Sequence, residues 1–266
     1  MAKETERLLN LLHQKVELTL GKKWWGASID QVVSNKPASQ FKEAFDVVFT
    51  ETEKQFKVWT DKALTRDGSG GITRKITANL STGEVELERL IVAANDSFFN
   101  QFNILSGLSE VQYDHIVKKM SVDLIAAKGD KLTKMIELKD KNNQENPLSA
   151  LVQLVSYYYL FVLAYKLAGK RGIKYPSLAM HFKLQVLAPK EYYSRFMKDV
   201  DELQKISIIT ESEINRDGRR LPHTKGKIEF LTFSQTDDDL QKVRRQLKEA
   251  LREFDKDTFI QLHLCK

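Results

Sequence analysis

Three residues with complementary chemistry lie in two short apolar segments near the middle of the chain. Asp123 falls within residues 121–127, and Glu137 and Lys139 lie at the end of residues 132–139. Two carboxylates that meet at neutral pH repel each other, and a hard cation such as Mg²⁺ commonly relieves the repulsion. A protonated lysine can hold a water or neutralise charge on a phosphate. These residue types together favour phosphodiester hydrolysis.

The two segments predict a β-hairpin, because both have the length of a strand and a Gly-Asp turn separates them. Side chains alternate along a strand, so Glu137 and Lys139 share one face, which we expect to be the solvent face. A two-residue loop at 129–130 would pair Asp123 with Ile136, whose side chain points the other way. A shared site therefore requires a loop with an odd number of residues, most simply three with Gly129 at the tip, or a β-bulge.

The pattern of Asp123 followed by Glu137-Leu138-Lys139 resembles the PD-(D/E)xK nuclease superfamily, with Val122 in place of the proline. Gln153 and Tyr157, on the next segment, resemble the Q-x-x-x-Y element of its RecB-like branch. The resemblance covers roughly residues 84–190. It implies an α/β restriction-endonuclease-like fold, a mixed sheet flanked by helices.

The resemblance also implies a role for each site residue. Asp123 and Glu137 would bind Mg²⁺, with Mn²⁺ able to substitute, and the backbone carbonyl of Leu138 would be a further ligand. Lys139 would position the attacking water or stabilise the phosphate. Supporting side chains would come from Gln153 and Tyr157.

A further acidic ligand is expected from the helix before the hairpin, as often found in the superfamily. Glu88 is the first candidate and Glu86 the alternative. An equally open interpretation is that these glutamates only favour the positive N-terminus of their helix.

The segment after the hairpin predicts a long helix with Asn146 as N-cap, Pro147 in its first turn and Gly169 as terminator. Its apolar length approaches the roughly 20 residues that span a bilayer. Its glutamine, serines and tyrosines favour a helix buried against a sheet instead, so no membrane is expected.

The remaining pattern predicts three regions of the chain. Residues 1–80 form a mostly helical extension, 81–190 the nuclease-like core, and 191–266 a C-terminal α/β elaboration of the same domain. The predicted helices are 3–20, 39–64, a helix from Ser81 to Phe98, 190–205 and 236–254, and the further strands are 177–188, 206–210, 227–233 and 258–264.

A net charge of +6 and a pI near 9.1 favour partners that carry phosphate. The loop 215–227 is the predicted nucleic-acid contact, and a solvated hairpin tip is the alternative. A path near Arg66 and Lys75 is open if this loop is not used. The candidate contacts are Arg216, Arg219, Arg220, Lys225 and Lys227.

A single cysteine, Cys265, excludes an internal disulfide and a cysteine-rich zinc site. The charged start of the chain lacks a signal peptide, so we expect a cytoplasmic protein. The expected function is Mg²⁺-dependent hydrolysis of nucleic acid, with DNA as substrate; a homodimer is compatible with the sequence. The alternative is a catalytically silent nucleic-acid-binding or assembly module on the same fold.

Overall fold

The computed structural model describes residues 4–34, 36–61, 84, 87–88, 91–92, 98–104, 121–128, 131–172, 175–198 and 201–232. Its helices are α1 Glu4–Leu20, α2 Ile29–Val33, α3 Ala38–Asp61, α4 Pro147–Arg171, α5 Lys190–Phe196 and α6 Asp201–Ile214. Its strands are β1 Phe98–Asn103, β2 Ser121–Lys128, β3 Lys131–Leu138, β4 Ser177–Ala188 and β5 Lys225–Thr232.

The five described strands form one mixed sheet in the order β1-β2-β3-β4-β5. β1, β2 and β3 are antiparallel neighbours, whereas β3, β4 and β5 run parallel. Parallel neighbours need a crossover, which α4 supplies between β3 and β4 and the α5–α6 pair supplies between β4 and β5. The prediction of an α/β fold with a mixed sheet flanked by helices is confirmed.

A β-bulge at Thr133 sets the alignment of β2 and β3. Lys128 pairs with Lys131, so two residues separate the paired strand ends. The register then shifts, and Ala126 pairs with Lys134 instead of Thr133. The Thr133 hydroxyl donates a hydrogen bond to the Ala126 carbonyl (3.1 Å). The bulge moves every later pair by one residue and brings Asp123 opposite Glu137.

Apolar layers cover both faces of the central strands. On one face, Ile125, Met135 and Val186 join the main core with α4. On the other, Ile136, Leu138 and Leu187 pack with helical residues Leu87, Ile91 and Val92. Glu137 and Lys139 therefore lie on the α4 side of β3, and the expectation that their face is open to solvent is wrong.

The long helix α4 begins as predicted and ends later. The Asn146 side chain accepts a hydrogen bond from Ser149 N–H (2.9 Å), while its amide donates to the Ala27 carbonyl (2.9 Å). The cap thus also fixes the turn after α1. The helix continues through Gly169 and ends at Arg171. Gly172, with φ of 69°, is its left-handed C-cap. α4 is long and apolar enough to cross a membrane, but 83% of that stretch is buried within the protein.

Helices α1 and α3 and strand β4 form where the sequence predicts them. Three other assignments are wrong. The predicted helix 190–205 is divided in two, because α5 ends at Phe196 and α6 begins at Asp201. Residues 206–210 belong to α6 because Leu203, Ile206, Thr210 and Ile214 form one buried helical stripe. Phe98 begins strand β1 instead of ending a helix. The hairpin tip 129–130, the loop with Arg66 and Lys75, Ser81, Glu86 and the predicted elements 236–254 and 258–264 lie outside the described residues.

Candidate active site

The hairpin brings Asp123 and Glu137 side by side on the α4 face of the sheet. Leu124 pairs with Ile136, so the preceding Asp123 stands opposite Glu137. The Asp123 carboxylate accepts a hydrogen bond from the Leu138 backbone N–H (2.9 Å), which ties the end of β2 to β3. The structure thus brings together the two carboxylates that the sequence singled out.

Lys139 completes a buried ion pair with Glu137. Its Nζ lies 2.8 Å from Glu137 Oε1 and 3.4 Å from Glu145 Oε2. The side chains of Glu137 and Lys139 are 1% and 4% exposed. Burial lowers the pKa of the Lys139 amine, but Glu137, Glu145, Glu84 and Asp123 raise it well above its ordinary value. Lys139 therefore carries a fixed positive charge.

Burial makes both carboxyls weaker acids than usual. Burial raises the pKa of Asp123 to about 6, against the lowering effects of Lys139 and of the hydrogen bond from Leu138. Burial and the charge of Asp123 raise the pKa of Glu137 well above its ordinary value. One lysine does not fully compensate the buried Glu137 carboxylate and the half-buried Asp123 carboxylate when both are ionised, so the pair favours a further positive charge.

Glu84 is a site residue that was not among the predicted ligands. Its Oε1 accepts hydrogen bonds from Asn143 Nδ2 (2.5 Å) and Asp140 N–H (3.3 Å). Its charge also raises the pKa values of Asp123 and Glu137. The helix before the hairpin thus does present an acid to the site. Glu88 is partly buried and stays a prediction, and the alternative Glu86 is not among the described residues.

Gln153 and Tyr157 lie on the turn of α4 that faces this cluster. Gln153 Nε2 donates a hydrogen bond to Tyr157 Oη (3.3 Å). Tyr157 is buried, and burial followed by the charges of Glu137 and Asp123 raises the pKa of its hydroxyl. The phenol therefore stays protonated and can donate a hydrogen bond toward the carboxylates. The spacing of four residues correctly placed both side chains on one helical face.

His13 and Tyr192 reach the same cluster from distant parts of the chain. His13 Nε2 lies 3.0 Å from Ser149 Oγ, and its ring stacks on Trp25. Burial lowers the His13 pKa, and Glu145 acts in the opposite direction. Tyr192 is fully buried, and burial raises the pKa of its hydroxyl. Lys139 acts to lower this pKa and Glu145 to raise it. No spacing signal in the sequence links these residues to the hairpin.

The oxygen atoms of this cluster suit a hard divalent cation. Glu137 Oε2 is buried and has no hydrogen-bond partner among the described residues. No group of three or more His, Cys, Asp or Glu in the described part of the chain is arranged to hold a metal. Mg²⁺ is commonly held by one or two carboxylates, with waters and substrate phosphates completing its shell. Asp123 and Glu137 meet that requirement.

The arginines of the loop after α6 mainly bind acids of the protein itself. Arg219 is buried, contacts Asp46, and lies 2.7 Å from Glu213 Oε2 and 4.8 Å above the ring of Phe49. Its guanidinium joins α3 to α6, and its contact with nucleic acid stays a prediction. Arg216 pairs with Asp46 (3.2 Å) and Arg220 with Asp217 (3.0 Å), and both are more exposed.

Lys225 and Lys227 lie on a strand instead of in the loop that carries these arginines. Both lie on β5 and are exposed. Their register places them beside β4, where Lys225 pairs with His181 and Lys227 with Lys183. The five basic residues that the sequence grouped in one loop thus differ in placement: Arg219 is buried, Arg216 and Arg220 lie in the loop after α6, and Lys225 and Lys227 lie on β5.

Comparison of the chain with family models, with curated proteins and with solved structures gave no match.

Proposed function

We propose that this protein hydrolyses phosphodiester bonds in nucleic acid, with DNA as the substrate, on a restriction-endonuclease-like fold. The observation that supports the proposal is the junction of Asp123, Glu137 and Lys139 at one point of the α4 face. The Thr133 bulge is needed for that junction. A purely structural hairpin gains nothing from placing the half-buried Asp123 carboxylate beside the buried Glu137 carboxylate, because each charge opposes the burial of the other.

Asp123 and Glu137 supply oxygen ligands for Mg²⁺ or Mn²⁺, and the Leu138 carbonyl is a further ligand in this proposal. A cation bound there would supply a more acidic water and offset the negative charge of the phosphate. Glu84 and Glu145 border the pair and add to its negative potential. Gln153 and Tyr157 hold the carboxylates in place from α4.

Lys139 acts as a permanent cation in this mechanism. Its raised pKa means that it does not accept a proton at neutral pH, so it is not the general base. Its three N–H donors can instead hold a water or stabilise charge that develops on the phosphate oxygens. Hydrolysis then leaves one phosphate monoester end and one hydroxyl end.

The second candidate function is a catalytically silent nucleic-acid-binding or assembly module. Its support is the burial of Glu137 and Lys139, since their 2.8 Å ion pair is already complete without a ligand. In that case the cluster would serve only to join β3 to the loop after it. The two functions differ in whether the site binds a divalent cation.

Titration calorimetry with Mg²⁺ and Mn²⁺, combined with a cleavage assay, tests the proposal. The substrates are linear, circular and single-stranded DNA, each with and without metal. Glu137→Gln removes a ligand charge and should abolish both metal binding and cleavage. Glu43→Gln, an exposed acid on α3, is the matched control and should retain both. Metal binding by wild-type and Glu137→Gln with equal affinity would refute the assignment of the site, and metal binding without cleavage of any substrate would favour the silent module.

A further inference from the structure

The sheet face opposite α4 carries three lysines in register across three strands. Lys134 on β3 pairs with Lys183 on β4, and Lys183 pairs with Lys227 on β5. By strand alternation they share a face with Ile136, Leu187 and Leu231, which pack in the smaller core. We call these three residues the lysine row.

The lysine row lies at the open part of this face. The Lys183 and Lys227 side chains are 45% and 64% exposed, and Lys134 is partly buried. Exposed Lys225 adds a further positive charge next to Lys227 along β5. The acid that neutralises part of this charge is Glu229, whose carboxylate lies 2.8 Å from Lys183 Nζ and 3.7 Å from Lys227 Nζ.

The structural interpretation of these lysines explains only part of the arrangement. Lysines on an edge strand prevent pairing with other chains, which accounts for Lys227 and Lys225 on β5. Lys134 and Lys183 lie on interior strands of the described sheet, where edge protection has no purpose. Like charges directly opposite each other are destabilising, and Glu229, which lies 2.8 Å from Lys183 Nζ, offsets that repulsion in part; a bound phosphate would offset more of it.

We infer that the lysine row binds the phosphate backbone of nucleic acid. This inference rests on the proposed function for the identity of the partner. Adjacent strands lie about 4.8 Å apart, so the row extends about 10 Å, across which duplex DNA presents several phosphates. The exposed groups of the row are ammonium ions, which suit the phosphates of the backbone and not the base edges. The row lies on the opposite sheet face from Asp123 and Glu137. It therefore contacts a part of the nucleic acid that is remote from the bond to be cleaved.

The test measures binding of a labelled DNA duplex in EDTA as a function of salt, which separates binding from cleavage. The variant is Lys134→Gln, Lys183→Gln and Lys227→Gln in one full-length chain. Each lost phosphate contact lowers the slope of log K against log salt by about 0.9. The triple variant should therefore lose a slope of about 2.7. Its affinity should depend about 40-fold less on salt between about 50 and about 200 mM.

A control triple variant separates the row from net charge. Lys22→Gln, Lys42→Gln and Lys170→Gln remove the same charge from exposed lysines on other elements and should change the slope little. Equal slopes for the two triple variants would overturn the inference, as would a wild-type slope in the row variant. Circular dichroism verifies folding, and Lys227→Gln alone, at the most exposed position, should still lower the slope by about 0.9.

Glu229→Gln provides the opposite change, because it frees Lys183 and Lys227 and should tighten binding. Unchanged or weaker binding by this variant would contradict the row. These experiments also distinguish failure of the lysine row from failure of the proposed nuclease function. Loss of the slope in the row variant, without Mg²⁺-dependent cleavage by wild-type protein, would support the row and refute the nuclease. Normal cleavage with an unaltered slope in the row variant would refute the row alone.

Discussion

The ionised carboxylate of Asp123 destabilises the folded protein, and the raised pKa of Asp123 measures by how much. Burial raises its pKa from the ordinary 3.8 to about 6. The folded state therefore binds the proton more tightly than the unfolded state between these values. Protonated Asp123 therefore contributes to the free energy of unfolding. This contribution is fully present below about pH 4 and is lost as the pH rises through about 6. The difference corresponds to roughly 3 kcal/mol.

Asp123→Asn should consequently stabilise the metal-free protein at neutral pH. Asparagine keeps an oxygen that can accept the hydrogen bond from Leu138 N–H, but it carries no charge. Urea unfolding in EDTA should show the variant gaining on wild type from pH 4 to pH 7. Mg²⁺ should then raise the stability of wild type only. A variant less stable than wild type at pH 7 in EDTA would contradict this account.

Lys139 should contribute to folding as well as to chemistry. An exposed amine could be removed without harm to folding, whereas the Lys139 amine is buried on Glu137. Lys139→Met removes the counter-ion of a buried carboxylate and should lower the free energy of unfolding by about 3 kcal/mol.

The double variant Glu137→Gln and Lys139→Met removes both charges and should recover most of that loss in urea unfolding. It should remain inactive in the cleavage assay. If the double variant is no more stable than Lys139→Met, the ion pair is not the reason for the loss.

At the scale of the elements, the Thr133 bulge determines whether the site exists. Thr133→Val removes the hydroxyl that bonds to the Ala126 carbonyl and should cost about 1 kcal/mol. The same change should weaken Mg²⁺ binding, because the alignment of Asp123 with Glu137 depends on the bulge. Thr133→Ser keeps the hydroxyl and should retain metal affinity in calorimetry. Equal Mg²⁺ affinity in the valine and serine variants would show that the Thr133 hydroxyl is not needed to align Asp123 with Glu137.

Gly226 allows β5 to approach the main core. A Cβ atom there would lie 2.5 Å from Phe182 Cζ and 2.8 Å from Ile214 Cδ1. Gly226→Ala should therefore destabilise the protein by about 1–3 kcal/mol in thermal or urea unfolding. Gly169→Ala, in α4 with open space around it, is the control and should be neutral or stabilising. A Gly226→Ala protein as stable as wild type would mean that β5 lies farther from Phe182.

At the scale of the whole molecule, Arg219 joins elements that are far apart in the chain. It connects Asp46 on α3 with Glu213 on α6. Arg219→Ala should lower the free energy of unfolding by about 3 kcal/mol, because Glu213 is left buried without its partner. The exposed control Arg220→Ala should change stability by about 0.5 kcal/mol or less. If folded Arg219→Ala showed a smaller salt dependence of DNA binding than wild type, Arg219 would be a contact to nucleic acid.

The sequence by itself determined the features that depend on local pattern. The strand periods of β2, β3 and β4, the cap at Asn146 and the shared helical face of Gln153 and Tyr157 all follow from spacing over a few residues. The parity of the hairpin also showed that a two-residue turn needs a bulge if Asp123 is to meet Glu137. These inferences are reliable because the backbone period fixes where side chains point.

Only the tertiary structure decided which faces are buried and which charges are shared. The residue that bulges, the burial of Lys139 and the arrival of Glu84, His13 and Tyr192 depend on packing between segments that are distant in the chain. The basic residues after α6 show the same limit, since local composition cannot reveal that Arg219 binds Asp46 while Lys227 aligns with Lys183. Burial and long-range pairing are properties of the assembled core, so the short-range pattern does not contain them.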